Sequence, residues 1–130
     1  MSLEKTKIKS YTDLDVYQRS YKLSIIVCTK VIVKLPSAEK FGLTDQLGRS
    51  SKAIPRLIAE GFGKKHQKRG FHKYLDDAMA ENNESIVSLC QIRDIYANNI
   101  NAKSVQLLID EYEIVGKQMF RLKQSWSKFS

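Results

Sequence analysis

Four stretches of this chain carry apolar residues at alternating steps of three and four, and little interrupts them: 130 residues hold six glycines and two prolines. The first sets Leu14, Tyr17, Tyr21, Ser24, Cys28, Val31 and Leu35 in line, and Leu35-Pro36 predicts its end, because the residue before a proline disfavours helical backbone. Thr12 is its expected cap, with Asp15 at the third helical position and Tyr11 stapled onto Val16. The second begins at Thr44-Asp45 and turns Leu47, Ser50, Ile54, Leu57 and Ile58 inward. The third aligns Phe71, Leu75, Ala78, Asn82, Ser85, Leu89, Ile92 and Tyr96. The fourth, after Asn101, aligns Val105, Leu108, Tyr112, Val115, Met119, Leu122 and Trp126. A repeat near 3.5 residues predicts long helices in left-handed packing, and no alternating strand pattern competes. Short connectors make sequence neighbours antiparallel. The expected fold is therefore all-α, an antiparallel up-down-up-down four-helix bundle. One domain is expected over residues 11–128, after a basic, disordered tail over 1–10.

Two of the stripes are wider than one bundle core needs. Helix 1 adds Val16, Leu23, Ile25, Ile26, Val27, Ile32 and Val33, and helix 3 adds Tyr74, Met79, Ile86, Val87 and Cys90. Apolar residues on so many sides need cover. A thick core with some exposed side chains would supply it. A homo-oligomeric interface is the preferred reading, because a chain of this length has little interior to spare.

The charge bears on partners. The net value of +8 is unevenly placed: residues 49–73 hold eight bases against the single acid Glu60, whereas 76–113 hold eight acids against two bases. Such polarity points to a polyanionic partner. Arg49, Lys52 and Arg56 are spaced to project from one side of helix 2; Lys64, Lys65, Lys68 and Arg69 follow in a loop, and Lys73 opens helix 3. These eight are the expected nucleic-acid contacts, made to backbone rather than to base edges, since no base-reading motif is present. A merely solubilising surface is the bland alternative.

Other chemistries find less support. No run approaches the roughly 18 apolar residues of a membrane span and no apolar segment follows the basic N-terminus, so a cytoplasmic protein is expected. Cys28 and Cys90 lie inside helical patterns and read as reduced, buried thiols. Glu81-x-x-Glu84 and Asp110-x-x-Glu113 could hold magnesium as in helical nucleotide pyrophosphatases, but a solvated acidic face explains them better. His66 and His72 have no ligand partner at metal spacing, and neither cysteine has a nearby histidine. The expectation is a non-enzymatic protein without metal or cofactor.

The segment AIPRLIAEGFGKK (residues 53–65) is the most unusual. Pro55 should kink helix 2, since it lacks an amide hydrogen and crowds the preceding turn. Gly61 or Gly63 should end the helix in the left-handed conformation, with Phe62 folded back as an apolar plug. Glu60 reads either as a surface residue or as a half-buried partner across an interface. The glycines match neither a P-loop nor a dinucleotide fingerprint.

The longer segment FGLTDQLGRSSKAIPRLIAEGFGKK (residues 41–65) resembles the central motif of the 23S rRNA intervening-sequence proteins, also labelled S23 ribosomal proteins. Phe41, Gly42, Leu43, Thr44, Gln46, Leu47, Arg49, Ser50, Ile54, Pro55, Ile58, Ala59, Glu60, Gly61, Phe62, Gly63 and Lys64 carry the likeness. DLDVYQRS (13–20), Glu84 and Gly116-Lys117 extend it over residues 11–126. Arg56-Leu57, Gly70, Ile86 and Val87 depart from the usual pattern. The resemblance implies an antiparallel bundle assembled into rings, typically pentamers, with no established enzymatic activity. Some members are encoded within inserts of 23S rRNA genes, and a related branch serves retroelement reverse transcriptases. The sequence-based expectation is thus an oligomeric binder of structured RNA or DNA. A scaffold ring docking an acidic protein, such as a reverse transcriptase, is the alternative, and a magnesium-dependent pyrophosphatase the remote one.

Overall fold

The computed structural model describes residues 7–67 and 70–127, and these form four helices with no strand among them. Helix α1 spans Asp15–Ile26 and continues through a π turn (Val27–Val31) and a 3-10 turn (Ile32–Lys34). Helix α2 spans Leu43–Gly63, α3 Gly70–Ile95 and α4 Ala102–Trp126. The expected tail overlaps the described residues only over 7–10, and the expected domain end, residue 128, lies outside them.

Cross-helix bonds fix the topology. Ser50 of α2 meets Ser85 of α3 (Oγ–Oγ 2.8 Å), while Gly61, near the end of α2, lies against Tyr74 near the start of α3. Arg93 of α3 donates to Gln106 of α4, and Lys123 donates to Asp76. Arg19 of α1 reaches Glu111 and Gln118 reaches back to Asp15. In each pair one number rises as the other falls, so every neighbour is antiparallel. Helices α1 and α4 also touch, which closes a four-cornered bundle with no close backbone approach across its diagonals among the described residues.

The core follows the sequence stripes on three helices. Leu47, Ser50, Ile54 and Ile58 are buried on α2, as are all of the α3 line from Phe71 to Ile92 and Val105, Tyr112, Val115, Met119 and Trp126 on α4, while the expected Leu57, Tyr96, Leu108 and Leu122 are partly buried against them. Helix α1 differs. Of its expected line, Leu14, Ser24 and Val31 are buried, Tyr17, Cys28 and Leu35 partly so, and Tyr21 stands half in solvent, while Val16, Ser20, Leu23 and Val27, one residue before expected members, are buried beside them. A helix apolar on several sides admits two periodic lines one residue apart, and packing chose between them. The wide π turn then takes up one extra residue before the chain leaves the helix. The excess apolar width is divided accordingly: Val16, Leu23 and Val27 join the core, whereas Ile25, Ile26, Val33 and Val87 remain exposed.

The first helical segment is capped two residues earlier than expected. Ser10 and Asp13 form a reciprocal capping box around a 3-10 turn at Tyr11–Asp13, and Tyr11 packs edge-on against Tyr17, its ring centroid 4.8 Å away. At the start of α2 the capping residue Gly42 has no side chain, and the Glu39 carboxylate substitutes for one. Its Oε1 accepts from the Leu43 N–H at 3.0 Å, and its Oε2 accepts from the Tyr96 hydroxyl at 2.5 Å. One acid thus ties α2 to the end of α3. A Cβ on residue 42 would fall 2.5 Å from Glu39 Oε1, so a larger residue would push this carboxylate off the cap.

We expect Gly42→Ala to displace this cap and lower the melting temperature, and Glu39→Ala to do the same. The two bonds, chiefly that from the Leu43 N–H, hold the Glu39 carboxyl below its ordinary titration range. A folded-state value below the unfolded one contributes stability above the unfolded value and loses it as pH falls through the folded value. The melting difference between wild type and Glu39→Ala should therefore shrink as pH drops from about 6 to about 3. A difference that stays constant across that range would overturn this account.

Candidate nucleic-acid interface

Because Leu47, Ser50, Ile54 and Ile58 anchor one face of α2, the opposite face is turned to solvent, and Arg49, Lys52 and Arg56 are all exposed on it. Their surroundings differ. Arg49 leans toward Asp45 (3.9 Å) and shares a groove of about 450 Å³ with Glu81 and Glu84 of α3. Burial, with help from Glu84 and Asp77, pushes the Glu81 carboxyl above its ordinary value, and Arg49 opposes that rise. Arg56 sits on the crest of the ridge. On the α3 side it borders Glu60, Asp77 and Glu81; on the α1 side it joins Lys52. Among the described residues, Lys52 and Arg56 make no ion pair.

Further along, Lys64 caps the end of α2 and Lys65 lies over the Phe62 ring, 3.9 Å from its centroid. Phe62 in turn packs edge-on against Trp126 of α4 (5.9 Å), which places the expected apolar plug against the core. Lys73 is drawn to Asp77 (3.7 Å) on its own helix. Lys68 and Arg69 lie outside the described residues.

The end of α2 corrects the reading of its glycines. Neither Gly61 nor Gly63 adopts the left-handed conformation; both are helical, and the helix ends at Lys64 with φ −109° and ψ 9°. Gly61 is instead a packed position. A Cβ there would stand in ordinary contact, 3.4 Å from Tyr74 Cβ and 3.6 Å from the Trp126 ring, so α3 and α4 leave space for little beyond a methyl group. Around Gly63 the space is open. Helix α2 runs on through the buried Pro55, and Glu60 is exposed.

The acidic pairs do not converge. Glu81 and Glu84 face α2, whereas Glu113 borders a separate groove of about 500 Å³ between α3 and α4, and Asp110 accepts from Gln106. Among the described residues, no three His, Cys, Asp or Glu side chains come within reach of one cation. His72 stacks on Phe71 at 4.2 Å. Both cysteines are half-buried and unbridged.

What sequence reasoning missed is a set of aromatic rings. Tyr11, Tyr17 and Tyr21 line the α1 side of the ridge beside Lys52 and Arg56. Tyr17 and Tyr21 are one turn apart on α1, a spacing read as core; Tyr17 is partly buried against that core, whereas the rotation of the helix turns Tyr21 out to solvent.

The model of the 23S rRNA-intervening sequence protein family matches residues 12–121. The chain belongs to that family. No curated protein and no solved structure matches it. In this family member, much of the distinctive segment 41–65 is structural: Gly42 admits the Glu39 cap, Leu43, Leu47, Ile54 and Ile58 fill the core, and Gly61 packs against α3 and α4. Gly116 belongs to the same class. A Cβ there would stand 3.2 Å from the buried Asn82 amide nitrogen, which donates to the Tyr112 carbonyl at 2.9 Å. No described helix of this family member is long and apolar enough to cross a membrane.

Proposed function

We propose that this protein is a non-enzymatic homo-oligomer that binds the backbone of structured RNA or DNA through the α2 ridge. The observation that carries the reading is the pair Lys52 and Arg56: exposed, one turn apart, and free of ion pairs among the described residues. Cations already held by carboxylates gain little from a phosphate, whereas unpaired ones release condensed counterions when they neutralise it. Lys64 and Lys65 extend the ridge at its C-terminal end.

Assembly supplies affinity that one short ridge lacks, by repeating it around a ring. Support for assembly comes from exposed apolar side chains on adjacent helices: Ile26 of α1 and Leu107 of α4 border one groove, with Ile114 and Phe120 exposed further along α4. A pentamer is the ring size suggested by the family resemblance. Light scattering should return about five times the 14.9 kDa chain mass. Filter binding against RNA and DNA should give log K falling linearly with log salt, at about 0.9 per phosphate neutralised on a duplex. A stable monomer would overturn the ring, and no binding at low salt would overturn the nucleic-acid reading.

A further inference from the structure

The α1 side of the ridge is a groove of about 390 Å³ whose described lining contains no carboxylate. Its walls are aromatic and cationic: Tyr11, Tyr17 and Tyr21 on one side, Lys52, Pro55 and Arg56 on the other. The rings form a short array. Tyr11 meets Tyr17 edge-on at 4.8 Å, and Tyr21 follows Tyr17 at 6.0 Å with planes tilted by 32°. Tyr21 is 50% exposed and Tyr11 36%, so ring surface is open to a ligand. Lys52 and Arg56, one helical turn apart, run alongside at about 6 Å along the axis.

We infer that this groove holds a single-stranded segment of nucleic acid, with bases stacked on Tyr21 and Tyr11 and the sugar–phosphate strand along Lys52 and Arg56. The inference rests on the nucleic-acid reading and narrows its ligand. Charge complementarity selects the occupant. A strand of unpaired nucleotides offers π-faces and phosphates in alternation, which matches rings beside unpaired cations, whereas a duplex hides its base faces. Stacking accepts every base, so binding here is tolerant of sequence. Arg56 also faces Glu60, Asp77 and Glu81 across the crest, and Lys52 is therefore the stronger phosphate contact of the two.

The test is fluorescence anisotropy with labelled uridine and thymidine oligomers of about 15 nucleotides, and with a duplex of equal length, on the full chain. Replacing both Tyr11 and Tyr21 by Leu keeps apolar bulk and removes stacking. It should weaken single-strand binding roughly tenfold, leave the salt slope unchanged and spare duplex binding. The corresponding Phe pair keeps the rings and should bind as wild type does. If the Leu pair binds single strands as wild type does, the groove is not the site, although the wider function stands. If wild type binds neither single strand nor duplex, both readings fall. If the Leu pair instead changes the sedimentation of the assembly, or abolishes capture of an acidic protein while strand binding persists, the groove is a protein contact and the inference is overturned.

Discussion

Reversing charge at Lys52 and Arg56 together should lower nucleic-acid affinity at least about a hundredfold at low salt and reduce the salt slope by about 2 in magnitude. Both side chains are exposed, so helicity and assembly should survive the change. Arg49→Glu is the informative contrast. The sequence places Arg49 on the same stripe, one turn after Asp45, and the structure adds Glu81 and Glu84 of α3 around it, so it already has carboxylates to answer. Its reversal should cost distinctly less binding than either ridge partner. Should the double reversal bind as wild type does in a filter assay, the ridge is only a solubilising surface. Equal losses at all three positions would show that local carboxylates do not matter.

The second large effect concerns packing. Gly61→Val should destabilise the bundle by about 2–3 kcal/mol, because the added branches must enter space already held by Tyr74, Leu75 and Trp126. Neither neighbouring helix can withdraw without opening the Phe71–Trp126 and Phe62–Trp126 ring contacts. Gly63→Ala is the paired control. Its Cβ enters open space on a helical backbone, so it should raise stability by about 0.5–1 kcal/mol through helix propensity. Urea melts of the two variants decide between close approach and conformational freedom as the role of these glycines. A stable Gly61→Val, or a strongly destabilised Gly63→Ala, would contradict the packing account.

The two glycines illustrate how far local pattern reaches. A glycine near a helix end, followed by a polar loop, reads as a left-handed terminator, and that reading uses only chain neighbours. What Gly61 in fact accommodates is Tyr74 and Trp126, from two other helices. Nothing within α2 announces either contact. The same holds for Gly42, whose lack of a side chain serves the carboxylate of Glu39 and, through it, Tyr96 at the far end of α3.

The sequence by itself determined four helices, their order and antiparallel course, and the buried lines of α2, α3 and α4. One clean periodic solution exists on each of those helices, and burial of apolar surface selects it without knowledge of the partner. Its charge pattern likewise located the α2 ridge, since the spacing of Arg49, Lys52 and Arg56 fixes their common side on any helix. Only the tertiary structure decided the rotation of α1, because apolar residues on most of its sides leave two lines nearly equal until α2 and α4 pack against it. That rotation is what turns Tyr21 outward and sets the tyrosines beside Lys52 and Arg56. The pairs Asp45–Arg49 and Lys73–Asp77 lie one turn apart on single helices and are legible in the spacing, whereas tertiary packing alone set Glu81 of α3 beside Arg49 and Arg56, since Coulomb interaction between helices depends on distances that no spacing along the chain encodes.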